Sequence, residues 1–250
     1  MASLFRGLIP AAAAVALCSA PAAAQAPGFD PAQREAIEGI VRDFLLRKPE
    51  VLQEAIAELE KRQQEAQRSA QQATLASAGE KLFNSPHGYL VGNPAGDVTL
   101  VEFFDYNCSY CKRALSDVRE LIKSDPKLKV VLKDLPVLGP ESVEAARVAL
   151  AAKQQLSGAK LFEYHSRLIE TRGRVGAERA TALAKEMGLD MARLQRDMAG
   201  PEVKEALAES ADLAEKLALT GTPAFVVGQE VISGAVGLEA LRQSIAAVRK

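Results

Sequence analysis

Polar and apolar positions divide the chain into a helical beginning and a mixed remainder. Ile37, Ile40, Val41, Phe44 and Leu45 recur at intervals of three and four, the period of one helix face. Asp30-Pro31 supplies an N-cap followed by proline at the first helical position. "RKPEVL" breaks that helix, and Pro49 opens a second one that runs to about Ser77 without Gly or Pro, roughly 40 Å of helix. A heptad seam follows it: Leu52, Ile56, Leu59, Gln63, Ala66, Ala70, Ala73 and Ser77. Its large apolar residues fade to Gln, Ala and Ser. Two readings compete, a helix packed on its own domain and a self-association stalk. The dense Glu, Lys, Arg and Gln at the other positions, and the separator "SAGEKLFNSPHGYLVGNPAGD", favour the stalk. Residues 25–78 are read as an N-terminal helical oligomerisation stalk, and 79–97 as linker and first turns.

Beyond the separator the period changes. "VTLVEFFDY" is a β-branched and aromatic run suited to a central strand. "CSYCKRALSDVRELIKSD" follows as a helix, and "KLKVVLKDLP" as a second strand. From Pro140 to about Leu219 the pattern is helical in several pieces. "TPAFVVGQEVISG" reads as a hairpin turning near Gly228, and "GLEALRQSIAAVRK" as a closing helix. Strand, helix, strand, helical block, strand, strand, helix predicts an α/β domain over 98–250 with a helical insertion at about 140–219.

Composition narrows the function classes. Hydrophobic residues make up 48 % of the 250, enough for a full core without cross-links. The 31 Lys and Arg balance 32 Asp and Glu, which gives no footprint for nucleic acid or an anionic membrane. "MASLFRGLIPAAAAVALCSAPAAAQAPG" has one early arginine, an apolar run from Leu8 to Ala20, and Ala22-Ala23-Ala24. That is the form of a secretory signal peptide over 1–24, and the run is too short and Ala-rich for a membrane span. The exported chain then has no stable membrane insertion and keeps two of its three cysteines, Cys108 and Cys111.

Those two lie where a strand ends and a helix begins. Free N–H groups and the helix dipole there favour a thiolate, which makes Cys108 the candidate reactive sulfur. Cys111, nearly one turn later, is the candidate resolving thiol. A structural zinc site needs about four ligands, and only His87 and His165 accompany the pair, without paired spacing. A bridge across so short a loop restrains little of the unfolded chain. Glu102 sits inside the otherwise apolar "TLVEFF". It either faces solvent on an edge or is a buried acid that relays the proton of Cys111. Pro223 in "TGTPAF" opens a strand. A cis Thr222–Pro223 bond would free the Thr222 backbone to pair with an extended client, and a trans proline at a strand start is the plainer alternative.

Taken together, "VTLVEFFDYNCSYCK", "PVLGPESVEAARVALAA" and "TGTPAFVVG" resemble the DsbA-like branch of the thioredoxin superfamily over about residues 85–250. The resemblance implies a thioredoxin fold with an inserted helical domain. It implies Cys108 as nucleophile, Cys111 as resolving cysteine, Ser109 and Tyr110 as the dipeptide that tunes the redox potential, Glu102 as the buried acid, and Thr222–Pro223 as the cis-proline loop. Ser-Tyr between the cysteines and Thr before the proline depart from the plain oxidase and look more like bacterial disulfide isomerases. With "FLLRKPEVLQEAI" ahead of it, the chain resembles the suppressor-of-copper-sensitivity protein C group, whose members self-associate through such a stalk. The resemblance implies a periplasmic thiol-disulfide oxidoreductase, an isomerase or reductase, with no cofactor and no resident metal. Its implied partners are misbridged or unfolded client proteins, a membrane redox partner, and further copies of itself, a trimer before a dimer. A monomeric DsbA-type oxidase and a copper-binding module using the same two thiolates are the alternatives.

Overall fold

The computed structural model describes residues 28–250, so the leader read at 1–24, with Cys18, and residues 25–27 of the stalk lie outside the described residues. Helix α1 (Pro31–Arg47) opens on a capping box. Gln33 N donates to Asp30 Oδ1 at 2.8 Å, and Asp30 N donates to Gln33 Oε1 at 3.0 Å. Helix α2 (Glu50–Phe83) follows one short break later. The chain divides into two compact units after Leu59. In the first, no residue of α1 is buried, and Ile40, Val41, Phe44, Leu46, Leu52, Ile56 and Leu59 are all exposed.

The second unit is built on a five-stranded sheet in the order β1-β3-β2-β4-β5. Its strands are β1 (Tyr89–Gly92), β2 (Val98–Phe104), β3 (Leu128–Asp134), β4 (Ala224–Val227) and β5 (Glu230–Ser233). Only β2 and β3 pair parallel, joined across helix α3 (Ser109–Ser124). Helices α4 (Pro140–Lys153), α5 (Gly158–Glu170), α6 (Ala177–Glu186), α7 (Met191–Asp197) and α8 (Pro201–Lys216) form the insertion, and α9 (Leu238–Val248) closes the chain. The β4–β5 turn needs Gly228, whose φ is +56° and whose absent Cβ would fall 2.6 Å from Val248.

The sheet separates two cores. On one face Leu100, Phe104, Val130 and Leu132 meet Cys111, Ala114, Leu115 and Val118 of α3. On the other, Val101, Phe103, Val131 and Val226 meet Leu75 and Leu82 of α2, Leu213 of α8 and Leu217 at its C-cap. Lys133 is buried on this second side, where Nζ reaches Glu209 Oε1 at 2.6 Å.

Two expectations are corrected here. Helix α2 does not stop near Ser77 but continues to Phe83, because Leu75 and Leu82 bury into the second core and carry it past Gly79. Ala73 and Ser77 of the heptad seam are exposed instead. Residues 79–97 are not simply linker and turns. Tyr89 and Val91 point inward and Leu90 outward, a strand period that Gly and Asn neighbours hid, and β1 pairs with β3 from Tyr89↔Leu132 to Gly92↔Lys129. The sheet therefore begins ahead of residue 98.

Helix α2 also completes the end of α8. Carbonyls 213 to 215 accept from Leu217, Leu219 and Ala218 N–H groups within the turn. The next two take side chains from far upstream: Thr74 Oγ1 donates to Lys216 O at 3.2 Å, and Gln71 Nε2 to Leu217 O at 2.8 Å. From this capped end the chain runs through Ala218, at φ +51°, toward Thr222.

Candidate active site

Strand β2 ends at Phe104, and Asp105, Tyr106 and Asn107 carry the chain to Cys108, the N-cap of α3. Cys108 N donates to Asp105 O at 3.0 Å. Cys108 and Cys111 are free thiols, and Cys111 is wholly buried. The protonated Cys108 Sγ donates to Thr222 O at 3.1 Å. As a thiolate it accepts foremost from the Cys111 thiol, against the cost of burial, and also from the Thr222 side chain and the N–H groups of Cys111 and Tyr110. Together these bring it down to about 5. Burial first, then the bond given to Cys108 and the charge of Glu102, push the Cys111 thiol far up.

Glu102 lies on the α3 side of the sheet, between Leu132 and Phe225 in the neighbouring strands, and is 3 % exposed. Burial, then the negative charge of Cys108, raises its carboxyl to about 8. The Thr222–Pro223 peptide is cis, and Pro223 O accepts from Gly234 N at 2.8 Å. Thr222, Pro223, Gly234, Ala235 and Tyr110 line a groove of about 290 Å³ beside the cysteines. Ser109 is exposed at the first turn of α3. Tyr110 is exposed too, with the Arg113 guanidinium 4.4 Å above its ring. Cys108, Cys111, Glu102, Tyr110, Thr222 and Pro223 thus converge on one end of the sheet. His87 and His165 do not join them as ligands. Among the described residues no three His, Cys, Asp or Glu side chains gather as a metal site. His165 is buried under the loop against Phe104 and Tyr106, and burial holds it neutral, down to about 3.

Sequence reasoning missed Asp105 and Asn107. Asp105 is buried and takes four donors: Asn107 N at 2.7 Å and Ser142 Oγ at 2.8 Å on Oδ1, Val137 N at 2.9 Å and Leu138 N at 3.0 Å on Oδ2. Asn107 clasps Val175 in both directions, Oδ1 accepting from Val175 N at 2.7 Å and Nδ2 donating to Val175 O at 2.9 Å. An Asp at a strand end signals a local turn. Nothing local signals partners some thirty or seventy residues away.

A buried acid, a thiolate at a helix start and the Thr222 carbonyl ahead of the cis-proline, all within reach of one another, suit thiol-disulfide exchange. The chain belongs to the family described as DSBA-like thioredoxin domain, matched over residues 99–246, and residues 33–66 match the copper resistance protein ScsC N-terminal domain. The fold is the thioredoxin fold with a helical insertion. A thioredoxin-like oxidoreductase from Silicibacter pomeroyi is 44 % identical, covers 68 % of this chain and 96 % of its own, and superposes with a TM-score of 0.64. Proteus mirabilis ScsC in a transitional conformation is 26 % identical over 88 % of this chain and 96 % of its own, with a TM-score of 0.62. The thiol:disulfide interchange protein DsbA of Bordetella pertussis is 27 % identical over 66 % of this chain and 78 % of its own length. The chain spans 22 % of the length of a different relative, the Na(+)/H(+) antiporter NhaA 1 of Salinispora arenicola, at 31 % identity over 59 % of this chain. No helix among the described residues is long and apolar enough to cross a membrane.

Proposed function

We propose that this thiol-disulfide oxidoreductase is an exported, periplasmic disulfide isomerase and reductase that works as an oligomer, a trimer, on misbridged client proteins. The Cys108 thiolate attacks a client disulfide. A mixed disulfide forms, and the first client sulfur leaves as a thiolate. Isomerisation follows when a different client thiolate, one already free or one released when the first attacks a second client bridge, attacks the client sulfur of the mixed disulfide and frees Cys108 as a thiolate. Reduction follows when Cys111 gives its proton to the Glu102 carboxylate and attacks Cys108 Sγ. The second client sulfur then leaves as a thiolate, and the client has gained the two electrons that the new Cys108–Cys111 bond lost. Ser109 and Tyr110 tune the potential, and Thr222–Pro223 holds the client backbone. A membrane redox partner restores the dithiol.

The apolar face of the first unit carries this reading. Ile40 is 67 % exposed and Leu46 71 %, in a segment that matches the ScsC N-terminal domain. A soluble helix rarely leaves so many large side chains uncovered, and copies of the same helices can cover them. Several active sites around one client raise the local thiol concentration.

The test is solution mass together with two activities, refolding of a scrambled multi-disulfide protein and oxidation of a reduced one, for the intact protein and a variant lacking residues 28–59. The expected outcome is an oligomer that isomerises and a truncated monomer that loses isomerisation and keeps dithiol oxidation. A monomeric intact protein, or isomerisation undiminished by the deletion, defeats the proposal in favour of a DsbA-type oxidase. Copper retained after purification under reducing conditions favours the copper-binding alternative.

A further inference from the structure

The rim around Cys108 is positively charged although the chain as a whole carries a formal charge of −1. Contacts with the redox helix fix the α5–α6 connection. Asn107 clasps Val175, Lys112 Nζ donates to Thr171 O at 2.7 Å, and Arg119 pairs with Glu170 through both guanidinium nitrogens. Asn107 and Lys112 bracket the two cysteines, so the segment strung between their anchors lies along the start of α3. Its apex is Arg172-Gly173-Arg174, exposed throughout. In the first turns of α3, exposed Arg113 covers Tyr110. At the α5–α6 segment, Arg174 Nη1 donates to Leu138 O at 3.3 Å, next to exposed Val137 and Leu138, whose N–H groups Asp105 holds.

These cations are largely unneutralised. Among the described residues no carboxylate lies within 4 Å of Lys112, Arg113 or Arg172, and Arg174 has Glu141 at 3.3 Å. The nearby acids are engaged elsewhere: Glu170 with Arg119, and Glu144 with Ala177 N. The rim that these segments form, here called the shelf, thus carries three exposed apolar side chains, Tyr110, Val137 and Leu138, together with exposed Arg113, Arg172 and Arg174.

We propose that this shelf selects clients in which acidic residues, interspersed with apolar ones, flank the reacting cysteine. The inference rests on the thiol-disulfide exchange described above and adds the chemistry of the polypeptide segment recognised. Rim charges of this kind act mainly on the encounter rate and are screened by salt.

The test uses the oxidised full chain and three peptides of one length, each with a single cysteine next to leucine and with flanks of aspartate, serine or lysine. The peptide thiolate attacks Cys108 Sγ, the Cys108–Cys111 bond breaks, and Cys111 leaves as a thiolate that takes up a proton. Each rate is divided by the same peptide's rate with bis(2-hydroxyethyl) disulfide, which removes the effect of the flanks on the peptide's own thiol. The normalised rate for the aspartate peptide is expected to exceed that for the lysine peptide about tenfold at low salt and to come within about twofold at ~0.5 M salt. Arg172→Glu with Arg113→Glu is expected to reverse the order, and Arg172→Gln with Arg113→Gln to flatten it. Equal normalised rates in the wild type at low salt, or an order that survives charge reversal, overturn the proposal. Failure of all three peptides to react overturns the exchange reading, and the proposal with it.

Discussion

Glu102 and Asp105 are both buried acids, one near the end of a strand and the other just past it, yet their surroundings are opposite. Asp105 is met by four donors that join the cysteine loop to the segment after β3 and to α4. Among the described residues none donates a hydrogen bond to Glu102, and its carboxyl rises to about 8. A buried carboxylate with its lone pairs filled is a structural joint. One left without donors keeps its proton near neutrality and is fit to exchange it.

The largest expected effect breaks the joint. Asp105→Ala strands the donors of Val137, Leu138 and Ser142 and should cost about 3 kcal/mol, a fall in Tm of roughly 6–12 °C for a chain of this size. Thermal unfolding measures it, and an unchanged Tm would reduce Asp105 to a bystander. Next comes Glu102→Gln, which keeps the shape and removes the proton site. Resolution of the mixed disulfide at neutral pH should slow ~10²-fold. A rate equal to wild type from pH 6 to 8 would return Glu102 to a mere strand residue.

The same acid predicts a pH dependence, best read on the oxidised protein, where the thiols are silent. Below its ordinary value of 4.5, Glu102 is protonated folded and unfolded and contributes nothing. Above 4.5 the unfolded chain ionises first, because burial alone still holds the folded carboxyl up once the disulfide has removed the Cys108 charge, so stability falls as pH rises and levels off when the folded carboxyl ionises too. Glu102→Gln should flatten that slope, and an identical slope in both proteins would place the titration elsewhere. Alkylation of the reduced protein should label Cys108 with a midpoint near pH 5 and leave Cys111 untouched. The smallest effect is Thr222→Val. It removes the donor that ranks next after the Cys111 thiol, about 1 kcal/mol, and should move that midpoint upward by less than one pH unit.

Glu102 was legible in the sequence because a charge in "TLVEFF" breaks a local pattern. Asp105 was not, because a polar residue after a strand is ordinary and its meaning lies in Val137, Leu138 and Ser142. The cysteine pair and Pro223 were legible for the same reason as Glu102, since their chemistry depends on near neighbours. Strand β1 was hidden by brevity: Tyr89 and Val91 give two inward positions between Gly, Pro and Asn, too few to establish a period of two. The extension of α2 was hidden differently. The heptad seam described a helix face that does not bury at Ala73 and Ser77, while Leu75 and Leu82 were spoken for by a core assembled from residues beyond 100.

The way α8 ends sets where the catalytic region can be cut. A fragment started after the apparent stalk, at residue 79, would look complete by its cysteines and strands. It would lack Gln71, Thr74 and Leu75, baring two carbonyls and an apolar patch at the head of the segment that leads to Thr222. A cut between residues 60 and 70 keeps that end closed. Any shorter fragment measures a loosened proline loop as well as the missing helices, and its kinetics mix the two.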